Sequence, residues 1–361
     1  MTIPFASLRR QLLKDNLDAL LFSTSETLTS TNLKFVTGFT GSDASVVLTR
    51  SEGHLFTDGR YKTQARLESP LLAVHVVRSR VDALCRFLRR SGLRRIGVES
   101  SRLSYEFVTT LTSRVPELHL VPLRRQVLEN LRIRKSQEEK LLIKKAAAVA
   151  SEACAEIVGA GIQGKKECEV AAELESLFRR HGAEGIAFET IVAAGERSAL
   201  PHASPSERVI GHGELVIIDF GCRVRGYHSD ETITCITGKP TDEQKRIHQT
   251  VYAAHNKALE AARVGMKVRE LDRVARQTIE AAGLGRFFLH GLGHGVGLEI
   301  HEPPRLSPRG TGVLREGMVF TIEPGVYVEG FGGVRLESLV FLTETGPEIL
   351  SEMPKELISV G

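Results

Sequence analysis

Four acidic residues and one histidine lie within or beside apolar, strand-like segments in the second half of the chain. A carboxylate in such a segment is costly to bury unless it is paired or bound to a cation. The set is rich in oxygen donors, which suits two hard or borderline divalent cations. Two such ions can activate water and polarise a carbonyl group, so the pattern predicts hydrolytic chemistry. The five residues are Asp219, Asp230, His294, Glu323 and Glu337.

The spacing of the acidic residues predicts that two β-hairpins bring them together. Residues 214–219 and 230–236 are predicted to form one antiparallel pair, and residues 318–323 and 333–342 the other. A hairpin places residues that are distant in sequence within one strand spacing of each other. Each hairpin can therefore direct two carboxylates at one point. The histidine enters from the glycine-rich stretch Gly291–Gly297, where backbone and substrate can approach closely.

The length of 361 residues predicts two domains. Residues 1–125 alternate helix-like and strand-like segments, which predicts a mixed α/β domain, and residues 126–361 form the second domain. Within the second domain, helices are predicted to begin after Ser136 and Thr241. Each of these residues is followed three positions later by a glutamate or glutamine, which is the spacing of a capping box.

Composition excludes several classes of partner. The net charge of +4 is small for this length and gives no indication of nucleic-acid binding. No apolar run approaches the roughly 18 residues needed to span a membrane, and no secretory signal is recognisable at the N-terminus. The five cysteines are odd in number and lack metal-type spacing, which is typical of reduced thiols. We therefore expect a cytoplasmic protein.

Several segments together resemble the pita-bread metallopeptidases (family M24), which include methionine aminopeptidase, aminopeptidase P and prolidase. The resemblance covers essentially the whole chain, and the order Asp, Asp, His, Glu, Glu within these surroundings is specific. The proline-directed members are the most similar, because a segment preceding His202 and two N-terminal motifs match theirs. The segments are Val216–Thr234, His290–Glu302, Thr321–Gly325, Val334–Glu337, Arg197–Pro201, Phe35–Ser42 and Thr57–Tyr61.

The resemblance implies the fold, the assembly and the cofactors. The class is α/β (α+β), with a creatinase-like N-terminal α/β domain followed by a pita-bread domain that contains a curved antiparallel sheet backed by helices. Proline-directed relatives are usually homodimers, so a homodimer is expected. Two divalent metal ions are implied; Mn²⁺ suits the oxygen-rich donor set, and Co²⁺ or Zn²⁺ could also occupy it.

The resemblance also implies a role for each site residue. Asp219 would bind one metal, and His294 and Glu323 the other, while Asp230 and Glu337 would bridge both. Glu323 would also carry a proton to the leaving nitrogen. Two further histidines, His202 and His301, would hydrogen-bond the substrate carbonyl and stabilise the oxyanion.

The substrate expected from this resemblance is an Xaa-Pro dipeptide. Arg305 aligns with the prolidase arginine that binds the free carboxylate of proline, a task for which a guanidinium is suited. The N-terminal motifs, in contrast, resemble aminopeptidase P, so an Xaa-Pro aminopeptidase is the alternative. A non-catalytic binding module is a third alternative, although all five ligands are present. Two positions depart from the family pattern, Ile233 in place of an arginine and Ser338 in place of an aspartate.

Overall fold

The computed structural model describes residues 5–360. The chain divides into two compact units, and the division lies between Arg132 and Ile133. We call the part up to Arg132 unit 1 and the part from Ile133 onward unit 2. The division into 1–125 and 126–361 that was drawn from the sequence remains a proposal.

Unit 1 contains one mixed six-stranded sheet with strand order β4-β3-β2-β1-β5-β6. All six residues of β1 are buried, because helices pack on both faces of this central strand. The strands are Ala19–Thr24 (β1), Ala44–Thr49 (β2), Gly53–Thr57 (β3), Ala73–Val76 (β4), Arg95–Val98 (β5) and His119–Pro122 (β6). The helices are Phe5–Lys14 (α1), Thr31–Thr37 (α2), Lys62–Glu68 (α3), Arg80–Ser91 (α4), Tyr105–Arg114 (α5) and Arg125–Arg132 (α6). The predicted mixed α/β domain is confirmed.

Unit 2 is built mainly from antiparallel strands, with four α-helices among its described residues. Its helices are Gln137–Ala160 (α7), Glu167–Arg180 (α8), Asp242–Ala261 (α9) and Val268–Ala281 (α10). The strands before α9 are Gly185–Ile186 (β7), Ile191–Ala194 (β8), Leu215–Phe220 (β9), Cys222–Val224 (β10), Tyr227–His228 (β11) and Glu231–Thr237 (β12). Those after α10 are Gly293–Gly295 (β13), Glu302–Leu306 (β14), Val319–Ile322 (β15), Gly325–Val328 (β16), Gly332–Arg335 (β17), Ser338–Thr343 (β18), Gly346–Ile349 (β19) and Ile358–Val360 (β20).

Two larger sheets of unit 2 carry the predicted hairpins. One has the order β20-β12-β9-β8 and the other the order β14-β13-β15-β18-β19. Apolar side chains of α7 and α8 pack against the first sheet, and those of α9 and α10 against the second. The expected antiparallel architecture backed by helices is therefore confirmed. None of the helices within residues 5–360 is long and apolar enough to cross a membrane.

The helix starts predicted from capping boxes are also confirmed. The Ser136 side chain accepts a hydrogen bond from the backbone N–H of Glu139, and the Glu139 carboxylate accepts one from the backbone N–H of Ser136. Thr241 and Gln244 make the same reciprocal pair at the start of α9. Each box satisfies two N–H groups that a helix start would otherwise leave without a partner.

The second predicted hairpin differs in one detail that matters for the site. A short inner hairpin, β16–β17, lies within its connection, and the predicted strand 333–342 is divided between β17 and β18. Glu337 stands at this division, and its backbone N–H donates to the carbonyl oxygen of Thr232 at 3.0 Å. Thr232 is paired in turn with Asp219 across β12 and β9. The break therefore joins the two hairpins edge to edge.

Candidate active site

Three of the predicted ligands project from the same face of the joined hairpins. Asp219 lies opposite Thr232 in the antiparallel register, and Thr232 lies opposite Glu337. Residues directly opposite each other in a sheet point to the same face. Asp230 is two residues before Thr232, and alternate residues of a strand share a face. The strand pairing therefore directs all of these carboxylates into one cavity.

His294 is held beside them by β13, and the glycines around it are required by close backbone approach. A Cβ on Gly293 would lie 2.1 Å from the carbonyl oxygen of Thr321, and one on Gly295 would lie 2.2 Å from that of Pro303. The Thr321 hydroxyl accepts from the backbone N–H of His294 at 3.1 Å and donates to Glu323 Oε1 at 3.1 Å. One threonine thus ties the histidine strand to a carboxylate.

The donor atoms are close enough to share a cation. His294 Nε2 lies 3.4 Å from Asp230 Oδ2 and 3.3 Å from Glu323 Oε1. One ligand atom from each of Asp230, His294 and Glu337 lies within 4.8 Å of the other two. Donors bound to a single ion at the usual 2.0–2.2 Å would be spaced by about 3–4 Å, so this arrangement needs little adjustment.

The electrostatics of the cluster favour bound cations. Burial raises the pKa of Asp230 well above its ordinary value, and Glu337 and Asp219 raise it further. Burial likewise raises the pKa of Glu337, with Glu323 and Asp219 adding to the effect. Burial also raises the pKa of Glu323 to about 8. Crowded carboxylates of this kind resist ionisation unless a positive charge is supplied.

Two further features fit a metal centre. Burial lowers the pKa of His294 to about 3, and the nearby His301 lowers it as well, so the imidazole is neutral and can act as a ligand. Asp219 Oδ1 is buried and has no hydrogen-bond partner among the described residues. An orphaned carboxylate oxygen beside three crowded acids is what a cation would satisfy. The residues present therefore fit the pair of divalent ions that the sequence implies.

Arg335 is a site residue that the sequence analysis missed. Its side chain is buried, and Nη2 donates to Asp219 Oδ2 at 2.5 Å. Nη1 donates to the Tyr327 hydroxyl at 2.9 Å and to the carbonyl oxygen of Pro201 at 3.0 Å. Arg335 precedes Glu337 by two positions, so strand alternation could have placed both on the cavity face. It neutralises part of the acidic charge before any cation binds.

The remaining predicted residues line the same cavity, which has a volume of about 680 Å³. The His301 ring lies 4.3 Å from the His294 ring in an edge-on arrangement. Arg305 is the cross-strand neighbour of His294 on β14. Burial lowers the pKa of His301, and the neighbouring Arg305 and His202 lower it further. The cavity therefore has an acidic floor beside a wall formed by His202, His301 and Arg305.

The two departures from the family pattern lie outside this cavity. Ile233 is buried in the apolar core between the first sheet and its helices, on the face of β12 opposite Thr232. The Ser338 hydroxyl lies 3.0 Å from Nε2 of His255, which is buried on α9. Both positions support neighbouring strands, and neither side chain is among those that line the cavity.

Family models match almost the whole chain. The model for metallopeptidase family M24 matches residues 142–344, and the creatinase/prolidase N-terminal domain model matches residues 5–134. These matches confirm the resemblance that the motifs indicated.

The chain is also similar over most of its length to a named relative and to two solved structures. The Xaa-Pro dipeptidase of Pyrococcus horikoshii is 44% identical over 269 residues, which are 74% of this chain and 76% of that protein. The structure of an Xaa-Pro dipeptidase from Bacillus anthracis superposes with a TM-score of 0.94 at 34% identity, covering 99% of both chains. The structure of an X-Pro aminopeptidase from Thermotoga maritima gives a TM-score of 0.91 at 37% identity, covering 96% of this chain and 98% of that one.

Proposed function

The chain belongs to metallopeptidase family M24, and we propose that it is an Xaa-Pro dipeptidase that uses two divalent cations. The observation that carries this proposal is the cluster of acidic side chains and His294 beside a wall that carries Arg305. The acidic cluster suits cations, and the guanidinium suits a carboxylate. A dipeptide offers a scissile carbonyl and a free carboxylate close together, so it complements both parts.

We propose that Asp219, Asp230, His294, Glu323 and Glu337 hold the cations. Asp230 and Glu337 would be shared between them, Asp219 would serve one, and His294 and Glu323 the other. When bound, the cations acidify a water molecule and polarise the scissile carbonyl. Manganese suits a donor set with four carboxylates and one imidazole.

The protein side chains then have three tasks. His202 and His301 would donate hydrogen bonds to the scissile carbonyl oxygen as negative charge develops on it. Glu323 would accept the proton released by the attacking water and deliver it to the proline nitrogen, which carries no hydrogen of its own. Arg305 would bind the proline carboxylate and so hold the peptide in register with the acidic floor.

An Xaa-Pro aminopeptidase is the second candidate. Two observations favour it, the close superposition on an X-Pro aminopeptidase and a cavity volume typical of sites for drug-sized ligands. A longer peptide has no free carboxylate on its proline, so Arg305 would then face solvent. The two candidates share the chemistry and differ only in what lies beyond the proline.

The experiment compares Ala-Pro, Ala-Pro-amide and Ala-Pro-Ala as substrates of the metal-stripped protein with and without added Mn²⁺. A dipeptidase cleaves Ala-Pro much faster than the other two, and the variant Arg305→Lys serves as the matched control for the planar guanidinium. Preferential cleavage of Ala-Pro-Ala assigns the aminopeptidase activity. Absence of metal-dependent cleavage of all three overturns both candidates.

We also propose a cytoplasmic homodimer. The support for the compartment is that Cys85, Cys154, Cys168, Cys222 and Cys235 are all free thiols. The support for the dimer is the family resemblance. Sedimentation equilibrium tests the assembly, and a monomer at micromolar concentration would contradict it.

A further inference from the structure

Two lysine–glutamate pairs are buried in unit 2, and each glutamate directly follows a residue of the candidate site. Lys135 Nζ lies 2.6 Å from Glu302 Oε1, and their side chains are 1% and 2% exposed. Lys355 Nζ lies 2.6 Å from Glu231 Oε1, and their side chains are 8% and 2% exposed. The two lysines come from opposite ends of the unit. The site residues that precede the glutamates are His301 and Asp230.

The first pair fixes the start of β14, the strand that also carries Arg305 in the cavity wall. Lys135 is itself held in place, because its backbone N–H donates to the carbonyl oxygen of Gly317 at 2.6 Å. The turn before β14 is packed onto the glutamate, since a Cβ on Gly297 would lie 2.6 Å from Glu302 Oε1. The Glu302 carboxylate is therefore held between the Lys135 ammonium group and the backbone turn at Gly297. Because His301 directly precedes Glu302, fixing the Glu302 side chain also fixes the backbone of His301.

The second pair fixes the start of β12. Glu231 also accepts hydrogen bonds from the Ser151 hydroxyl and, at 2.9 Å, from the backbone N–H of Met353. Successive residues of a strand point to opposite faces. Glu231 therefore anchors the helix-facing side, while Asp230 projects into the cavity. The carboxylate binds α7 through Ser151 and the C-terminal segment through Lys355.

A buried ion pair contributes little net stability, because the cost of removing both charges from water offsets most of their attraction. Apolar side chains of similar size would often serve stability equally well. An ion pair with additional hydrogen bonds fixes the orientation of its side chains and of the adjacent backbone, whereas apolar packing leaves that orientation less defined. Both pairs stand where direction matters, directly beside a cavity side chain, and Glu302 itself also borders the cavity.

We propose that Lys135 and Lys355 are positioning residues for the reaction. Lys135 acts through Glu302 to orient His301 toward the substrate carbonyl, and Lys355 acts through Glu231 to orient Asp230 toward the cations. The inference rests on the proposed function, since it takes His301 to contact substrate and Asp230 to bind metal. It assigns different consequences to the two pairs, one on catalysis and one on metal affinity.

The test replaces each pair as a whole, so that no single charge is left buried. The double variants are Lys135→Met with Glu302→Gln, and Lys355→Met with Glu231→Gln. The first is expected to lower kcat for Ala-Pro about 10- to 100-fold with unchanged Mn²⁺ affinity by calorimetry. The second is expected to weaken Mn²⁺ affinity about 10- to 100-fold, and excess metal should restore kcat.

The control is a partly buried pair in unit 1, Arg80 Nη2 with Asp43 Oδ1 at 2.9 Å. The double variant Arg80→Met with Asp43→Asn should change only the melting temperature. If the unit 2 variants behave like this control, both pairs are purely structural and the inference fails. It also fails if the two effects are exchanged or indistinguishable.

Two further variants cover the case in which a double variant does not fold. Lys135→Arg and Lys355→Arg keep the charge but displace the partner carboxylate, and the same two measurements apply to them. Wild-type protein that binds no Mn²⁺ or cleaves none of the Ala-Pro substrates refutes the proposed function itself. That result can be distinguished from the one in which the variants behave like the control, which refutes only the role assigned to Lys135 and Lys355.

Discussion

Buried acids in the two units have opposite surroundings. In unit 1, the Glu99 carboxylate accepts hydrogen bonds from the Ser30 hydroxyl and the Asn32 amide, each at 2.7 Å. In unit 2, Glu337 has one hydroxyl donor, Thr232 at 2.7 Å, but it faces Glu323 and Asp219, which raise its pKa. Burial alone therefore does not mark a functional carboxylate. A functional carboxylate is instead recognised by its burial next to other carboxylates.

Histidines show the same contrast. In unit 1, His54 Nδ1 lies 3.2 Å from His75 Nε2, and the His54 ring packs 4.5 Å from the ring of Phe87. The other ring nitrogen of His54, Nε2, lies 3.2 Å from a single carboxylate, Glu52 Oε2, whose side chain is exposed. In unit 2, His294 Nε2 is directed at Asp230 and Glu323 instead. A ring nitrogen directed at two acids is available to a cation that joins all three.

The largest expected effect comes from removing one charge of the acidic cluster. Glu337→Gln should lower kcat/KM for Ala-Pro by at least about 100-fold, because loss of a ligand exceeds the loss caused by its outer partners. The metal-free variant should also melt at a higher temperature than metal-free wild type, since the crowded carboxylates repel less. Calorimetry and hydrolysis assays measure both. Full activity would remove Glu337 from the ligand set.

The second expected effect is an unusual pH dependence of the metal-free protein. The pKa of Glu323 is raised from 4.5 to about 8, so the folded protein retains a proton that the unfolded chain has released. Buried histidines such as His294, whose pKa is lowered to about 3, make stability rise with pH only up to about 6.5, where the histidines of the unfolded chain have lost their protons. The free energy of unfolding should therefore fall as pH rises from about 6.5 to about 8. Urea unfolding across this range measures the slope.

Two controls sharpen the pH measurement. Saturating Mn²⁺ should reduce the slope, because bound cations stabilise the ionised carboxylates. Glu323→Gln should reduce it without metal. Stability that rises with pH over this interval in the metal-free wild type would contradict the electrostatic picture of the cluster.

A smaller effect is expected at an arginine of the cavity wall. Arg60 in unit 1 is paired with Asp58 and Glu26, whereas no ion pair within residues 5–360 involves Arg305. Arg305→Ala should raise KM for Ala-Pro about 10- to 100-fold, the usual contribution of a charged hydrogen bond. KM for Ala-Pro-amide should change little, because that ligand lacks the carboxylate. Equal losses on both ligands would make Arg305 a general structural residue.

The smallest catalytic effect is expected from the buried acid of unit 1. Glu99→Gln keeps the shape of the side chain but loses charge-assisted hydrogen bonds, so stability should fall by about 1–3 kcal/mol. The expected kcat and Mn²⁺ affinity are those of the wild type. The same type of substitution would thus destabilise one unit and relieve repulsion in the other. A loss of Mn²⁺ affinity in Glu99→Gln would contradict the purely structural role of this carboxylate.

Much of this protein was readable from its sequence, because the relevant signals are local. Capping boxes lie within four residues, strand pairs are flanked by turn residues, and the order of the acidic residues is specific to one family. The glycines around His294 also carried their meaning in sequence, since close backbone approach requires them.

Other features depended on contacts between distant residues. Arg335 meets Asp219 across 116 positions, and Glu337 joins the two hairpins by dividing a strand that was predicted to be continuous. Lys135 and Lys355 reach the site from the two ends of unit 2. No local pattern specifies which cation meets which acid, because that choice depends on how the sheets pack. The sequence thus determined the site's chemical groups, and the tertiary structure decided which charges neutralise one another.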